Sequence, residues 1–159
     1  MRIRVGFGRD IHRFLAPEVR KGCRIGGVTF EGVPGFQSKS DGDVVYHALC
    51  HAITSVSGIP ILGGRAKELL EKDGITDSSV YVSDGLKTLG EAHIAHVAIS
   101  LEAMRPRLDE RIEEVRGNVA KVLGLQIDQV GITAHDGQGL TDVGCGAGVR
   151  CCVVITVEG

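Results

Sequence analysis

Residues 149–157 read Val-Arg-Cys-Cys-Val-Val-Ile-Thr-Val. An apolar run of this length is read as a strand buried on both faces, inside a sheet that other elements cover. Cys151 and Cys152 are adjacent and so point to opposite sides of it, as small core hydrophobes. Working back along the chain, residues 129–135 read as a second strand. Residues 109–123 form the clearest helix, because Ile112, Val115, Val119, Val122 and Leu123 share one stripe and Gly124 supplies a C-terminal cap. Residues 93–101 read as a strand, with His93 and His96 at odd spacing on opposite faces in structural roles. Helices are expected over 78–90 and 65–72. Another should begin near Asp43, carry Val45, Leu49, Ala52 and Val56 on its apolar face, and stop at Gly58-Ile59-Pro60. Residues 23–30 suggest a strand or a hairpin with bulge-forming glycines. Residues 2–8 read as a strand through the alternation of Ile3, Val5 and Phe7. Strands interleaved with helices predict an α+β (mixed α/β) single domain: a mixed sheet of four to five strands with helices packed on one face.

The chain has 159 residues, 43% of them apolar, which suits one domain with its own core. The net charge is −2, and Arg105, Arg107 and Arg111 form only a local basic cluster, so no nucleic-acid partner is expected. The N-terminus lacks the apolar core of a signal peptide, and no stretch reaches a membrane span. Five cysteines without C-x-x-C spacing suggest reduced thiols and a cytoplasmic setting. Abundant glycine and few aromatics hint at a core that gains from oligomerisation.

Four stretches carry chemistry. Just past the first strand stand Asp10-Ile11-His12; in extended backbone, residues two apart share a face, so a carboxylate and an imidazole converge. Alone, that pair does not distinguish a ligand set from chance. In Ser40–His51, Asp43, His47 and His51 lie four apart and form one line. His47 is about 200° around the helix from Leu49, so the line faces away from the apolar stripe. It reads either as a solvated face with an N-terminal Asp on the helix dipole or as a ligand line. One carboxylate with two or three imidazoles is the donor set of a catalytic zinc site that keeps one position open. The Ser40-Asp41-Gly42 turn into a helix N-terminus favours an anion such as phosphate there. In 131–148, Thr133, His135 and Asp136 precede a glycine-rich loop, which is either a plain turn or a phosphate cradle. Asp136 suits a hard cation such as Mg²⁺. In 102–111, Pro106 fixes a turn where Arg105 or Arg107 could meet phosphate or simply be solvated.

With these residues quoted, the chain resembles the 2-C-methyl-D-erythritol 2,4-cyclodiphosphate synthase family. Gly8-Arg9-Asp10-Ile11-His12 matches its G-x-D-x-H signature, and Ser40-Asp41-Gly42-Asp43 through His47-Ala48-Leu49 matches S-D-G-D-x-x-x-H-A-L. Pro106-Arg107-Leu108 and the closing strand–acidic–glycine-rich–strand unit are similar too. The resemblance implies a lyase of the non-mevalonate isoprenoid pathway. It would cyclise 4-diphosphocytidyl-2-C-methyl-D-erythritol 2-phosphate to the 2,4-cyclodiphosphate with release of CMP. It also implies a homotrimer with a sheet-lined centre and active sites between subunits. Residue by residue, Asp10, His12 and His47 fall on the zinc ligands (Zn²⁺ or another divalent transition metal). Asp136 falls on the site of a second ion, Mg²⁺ or Mn²⁺, and the four together make the catalytic set. Ala103, Met104, Arg105, Pro106, Arg107 and Leu108 fall on the loop that holds cytidine and its phosphate. Thr133, Ala134 and His135 fall in the adjacent phosphate stretch, and Lys39, Ser40 and Asp43 on the substrate side of the zinc motif.

The chain departs from the family pattern at several positions. Lys39 stands for a His, His51 for an Asp, Asp136 for a Glu and Ala134 for a Thr. The acidic stretch G-D-I-G-x-x-F-P-D-T-D is replaced by Gly58–Gly64, which has no carboxylate. These changes fall on the contacts to erythritol hydroxyls and on the magnesium site. Two rival readings of the same residues are a metal-dependent phosphohydrolase and a non-catalytic trimer that binds nucleotide or isoprenoid ligands.

Overall fold

In the computed structural model, which describes residues 1–159, the C-terminal apolar run becomes strand β6 (Gly148–Glu158). It lies inside a sheet, between β1 (Ile3–Arg13) and β4 (His93–Glu102), and pairs antiparallel with both. β5 (Val130–His135) joins the far edge of β4 in parallel, giving a mixed sheet in the order β1–β6–β4–β5. The hairpin β2 (Cys23–Ile25) and β3 (Val28–Phe30) stands apart as its own two-stranded sheet, so the main sheet has four strands. Four helices complete the domain: α1 (Val44–Ser57), α2 (Ala66–Asp73), α3 (Ser78–Leu86) and α4 (Ile112–Leu123). A π-helical turn, Ile61–Arg65, leads into α2. The expected helix over 78–90 is α3 followed by a 3₁₀ turn, and Gly124 caps α4 in the left-handed conformation. No single helix is long and apolar enough to cross a membrane.

Only one face of the sheet is covered by helices. On β6, Val149, Cys151, Val153, Ile155 and Val157 are buried, whereas Cys152, Val154 and Thr156 are not. The expectation of burial on both faces is corrected: within one chain the run is covered on one side only. The first strand makes the same point. Its alternating Ile3, Val5 and Phe7 do not face the core; Val5 is 67% exposed and Phe7 56%. Flanking Phe7, Gly6 and Gly8 face the helix side, where α1 lies directly on them. A Cβ on Gly8 would sit 2.0 Å from the Ala48 carbonyl oxygen, and one on Gly6 would sit 2.5 Å from that of Ala52. Glycine at these positions allows backbone to approach backbone. The apolar residues of β1 therefore form, with Val154, an open hydrophobic face.

His93 and His96 are both exposed, against the expectation of opposite faces. A bulge between Ile94 and His96 shifts the alternation by one residue. All five cysteines are free. Burial, with Asp43 nearby, pushes the Cys23 thiol up to about 12, and burial also raises Cys50 and Cys151. These three are packed hydrophobes.

Candidate metal centre and substrate clefts

β1 runs further than the sequence suggests, to Arg13, so Asp10 and His12 stand within the strand. Both occupy the helix-facing side, where the strand passes the first turn of α1. That turn carries His47. His12 Nε2 lies 2.8 Å from Asp10 Oδ2, His47 Nδ1 lies 3.2 Å from the same oxygen, and the two ring nitrogens are 3.0 Å apart. One carboxylate oxygen and two imidazole nitrogens all lie within 4.8 Å of one another. Two strand positions and one helix position, 35 or more residues apart, thus aim three donor atoms at one point. Burial opposes ionisation of Asp10, but hydrogen bonds and charge from His12 and His47 outweigh it and hold the carboxyl well below its ordinary value. The trio suits a divalent metal: hard oxygen with borderline nitrogen, in the number of a catalytic zinc site.

The expected line of Asp43, His47 and His51 does not form one solvated face. His47 is buried, His51 is exposed and outside the trio, and Asp43 is wholly buried. Asp43, expected on the substrate side of the motif, uses its carboxylate as a structural anchor. Its carboxylate caps α1 by accepting from the N–H groups of Val45 (3.1 Å) and Tyr46 (3.2 Å). It also accepts from Gly26 N–H (2.8 Å) and Gly27 N–H (2.7 Å), the turn of the β2–β3 hairpin.

Of the two hydroxyls behind His47, sequence reasoning missed Ser78 and named Ser40 only for the substrate side. His47 Nε2 lies 2.9 Å from Ser78 Oγ and 3.2 Å from Ser40 Oγ. Ser78 Oγ donates to Asp41 Oδ1 at 2.5 Å, and Ser78 N–H donates to Asp41 Oδ2 at 3.0 Å. It also missed Lys21, whose Nζ donates to the carbonyls of Phe36 (3.0 Å), Ser38 (2.7 Å) and Ser40 (2.7 Å). That ammonium gathers the loop that presents Lys39 and Ser40. No spacing rule links Ser78 or Lys21 to the motif.

The trio opens into a cavity of about 370 Å³ whose other lining includes Ser38, Lys39, Ser40 and Tyr81. Of the Gly58–Gly64 segment that stands in place of the family's acidic stretch, only Leu62 lines this cavity, and α2 adds Ala66 and Leu70 with two charged groups, Lys67 and Glu71. A second cleft of about 310 Å³ shares no residue with the first. Ala103, Met104, Pro106, Arg107 and Leu108 line it with Ala134, His135 and Asp136. The Arg105–Pro106 peptide at its rim is cis. Two expected contacts are not brought here. The Arg105 guanidinium lies over the Phe14 ring and its Nε donates to the Gly146 carbonyl at 3.3 Å. Thr133 lies instead on the open sheet face, in a depression with Ile99 and Val154. Asp136 is exposed and accepts from Gln138 N–H at 2.9 Å, far in sequence and separate in lining from the trio. Behind the second cleft, the buried Glu102 accepts from Thr141 Oγ1 at 2.6 Å and from the Arg150 guanidinium.

Comparison with known proteins gives the chain a family and a shared fold. The model of the YgbB family matches residues 3–158. The 2-C-methyl-D-erythritol 2,4-cyclodiphosphate synthase of Chlamydia caviae is 50% identical over 155 residues, covering 97% of this chain and 88% of that one. Among solved structures, the synthase of the same name from Plasmodium vivax has a TM-score of 0.81 at 26% identity, covering 98% of this chain and 97% of that one. A Plasmodium falciparum structure described as a CDP complex has a TM-score of 0.80 at 23% identity, covering 98% and 95%.

Proposed function

The chain belongs to the YgbB family, and on that footing we propose that it cyclises 4-diphosphocytidyl-2-C-methyl-D-erythritol 2-phosphate to 2-C-methyl-D-erythritol 2,4-cyclodiphosphate, releasing CMP. The convergence of Asp10, His12 and His47 on one point carries this reading. The relatives named as this synthase favour it over a phosphohydrolase or a non-catalytic binder.

In this reading Asp10, His12 and His47 hold Zn²⁺ or a similar divalent ion. Asp136, a single exposed carboxylate, holds Mg²⁺ or Mn²⁺ together with substrate phosphates, as that ion commonly binds. Bound metal supplies Lewis-acid stabilisation of charge on phosphate oxygens. The nucleophile is an oxygen of the substrate's own 2-phosphate, ionised at neutral pH. A new O–P bond forms at the β-phosphorus, the bond to the CMP oxygen breaks, and CMP leaves as the anion. No protein base is required, so the residues serve to position and to neutralise. Lys39 offers an ammonium beside the trio. Arg107 and the backbone of Ala103–Leu108 suit the cytidine phosphate, the ligand class of the Plasmodium falciparum neighbour. Lys67 and Glu71, which line the same cavity as the trio, would serve as polar partners for the erythritol hydroxyls.

A homotrimer accounts for two observations together. The open apolar face of β1 and β6 needs a cover, and copies of the same chain can supply it. The metal cleft and the nucleotide-side cleft are separate within one chain, so one substrate would bridge two subunits. Sedimentation analysis should give three chains per particle, and Phe7→Asp should dissociate it.

The experiment that tests the activity is incubation of the protein with the diphosphocytidyl substrate, Zn²⁺ and Mg²⁺, followed by phosphorus NMR. Paired resonances of a cyclic diphosphate with equimolar CMP are expected. Inorganic phosphate would assign a hydrolase, and unchanged substrate with zinc bound would sink the proposal.

A further inference from the structure

We propose that Ser78 and Asp41 are positioning residues that set the tautomer of His47 and thereby ready its Nδ1 for metal. Hydrogen-bond accounting leads there. A serine hydroxyl has one proton to donate, and an ionised carboxylate can only accept. Ser78 Oγ lies 2.5 Å from Asp41 Oδ1, so its proton is committed there. Asp41 is itself fixed in place. Its Oδ2 accepts Ser78 N–H at 3.0 Å, and Oδ1 also accepts Asp43 N–H at 2.9 Å. What Ser78 Oγ then presents to His47 Nε2, 2.9 Å away, is a lone pair. Ser40 Oγ also lies near Nε2, but farther off at 3.2 Å, and it accepts Gly42 N–H at 3.3 Å, so the shorter contact, to the committed Ser78, places the imidazole proton on Nε2. Nδ1 keeps its lone pair, and Nδ1 is the atom that faces Asp10 Oδ2 and His12 Nε2.

The competing tautomer is a real one. With no relay, a proton on Nδ1 could donate to Asp10 Oδ2 at 3.2 Å. That would block the ligand atom and tie up the carboxylate. The relay opposes it, because it would leave Nε2 and Ser78 Oγ facing each other lone pair to lone pair in a buried site, where unpaired polar groups are costly. Ser78 can do this because it is fully buried at the start of α3, next to the cap residue Asp77. The first turn of α3 thus reaches across to the SDGD loop and to the metal helix at once. Groups that orient a metal-bound histidine in this way commonly change metal affinity by about 10–100-fold.

This inference rests on the reading of Asp10, His12 and His47 as a metal site, and the test separates the two. Zinc affinity is measured by chelator competition for the wild type, Ser78→Ala, Ser78→Thr and Asp41→Asn. Long-range proton–nitrogen NMR on histidine-labelled protein reports the His47 tautomer. Thermal melting of the metal-free proteins identifies the variants that fold. We expect Ser78→Ala and Asp41→Asn to bind zinc about 10–100-fold more weakly, and Ser78→Thr to stay near the wild type. We expect His47 in the metal-free wild type to carry its proton on Nε2, and in Ser78→Ala to populate both tautomers. Wild-type zinc affinity in a folded Ser78→Ala overturns the proposal. So does an Nδ1-protonated His47 in the wild type, a result that needs no variant to fold. A wild type that binds no zinc while keeping the Nε2 tautomer overturns the metal reading, and with it any metal role for the relay.

Discussion

The two clefts of this chain are built of opposite materials. In the metal cleft, a strand and a helix supply every donor, the side chains are largely buried, and hydrogen bonds fix them from behind: His47 by Ser78, Ser78 by Asp41, the loop by Lys21. In the second cleft the lining comes from the loop after β4 and the end of β5. In the first, the donors hold one another within the chain; in the second, His135 and Asp136 are exposed. Substitutions should therefore register differently in the two places.

The largest effects belong to the metal cleft. His12→Ala or His47→Ala should remove bound zinc and lower turnover by roughly a thousandfold or more, since metal stabilisation of several kcal/mol is lost and each 1.4 kcal/mol is about tenfold. Metal content by mass spectrometry and CMP release measure this, with circular dichroism confirming the fold. A variant that keeps its zinc would break the assignment of the ligand set. Beneath the same cleft, Asp43→Ala should cost on the order of 3 kcal/mol of stability, from a lost cap and buried N–H groups left unpaired. A denaturant midpoint close to the wild type would show that water replaces the carboxylate and that the anchor is dispensable.

In the second cleft the effect should fall on substrate affinity. Arg107 is exposed and pairs only with Asp109, at 3.1 Å. Arg107→Ala should raise KM about tenfold, the equivalent of one charge-assisted hydrogen bond, with melting unchanged. Glu102 marks the boundary between the two regimes. Hydrogen bonds from Thr141 and Arg150 hold its carboxyl below the ordinary 4.5. A depressed carboxyl stabilises the fold fully above its unfolded value, and that contribution fades as pH falls through the lower folded value. The stability gap between wild type and Glu102→Gln should thus be widest near neutral pH and close below about pH 4. A gap that widens on acidification would contradict the ion pair.

How much was legible in the sequence follows the same division. The strands and helices were readable because hydrophobic period and caps are local signals, as at Gly58 and Gly124. Strand spacing put Asp10 and His12 on one face, but the choice of His47 over His51 as their companion came from the resemblance to the family, because helical spacing alone left both on one line. Which face of β1 is inside was not readable. Ile3, Val5 and Phe7 alternate as a core strand would, and only the contact of α1 with Gly6 and Gly8 reveals that glycine marks the inner face. The place of Asp43 at the N-terminus of its helix was readable, but its second role was not, because Gly26 and Gly27 belong to a hairpin turn that no helical spacing connects to it. Ser78 and Lys21 were invisible for the same reason: each acts through tertiary hydrogen bonds across 15 or more residues.

The smallest expected effect sharpens the comparison most. Asp136→Glu restores the residue usual in the family and adds one methylene at an exposed position. If the second cleft is loosely built, the longer carboxylate adjusts, and stability should move by no more than about 0.5 kcal/mol. The magnesium concentration for half-maximal turnover should shift about twofold at most, the equivalent of that energy. A conservative change in the metal cleft has no such freedom, because Asp10 meets two imidazoles at once. Asp10→Glu must displace one of them, and zinc affinity should fall far more than twofold. Similar magnesium and zinc losses in the two variants would mean that the clefts are equally rigid.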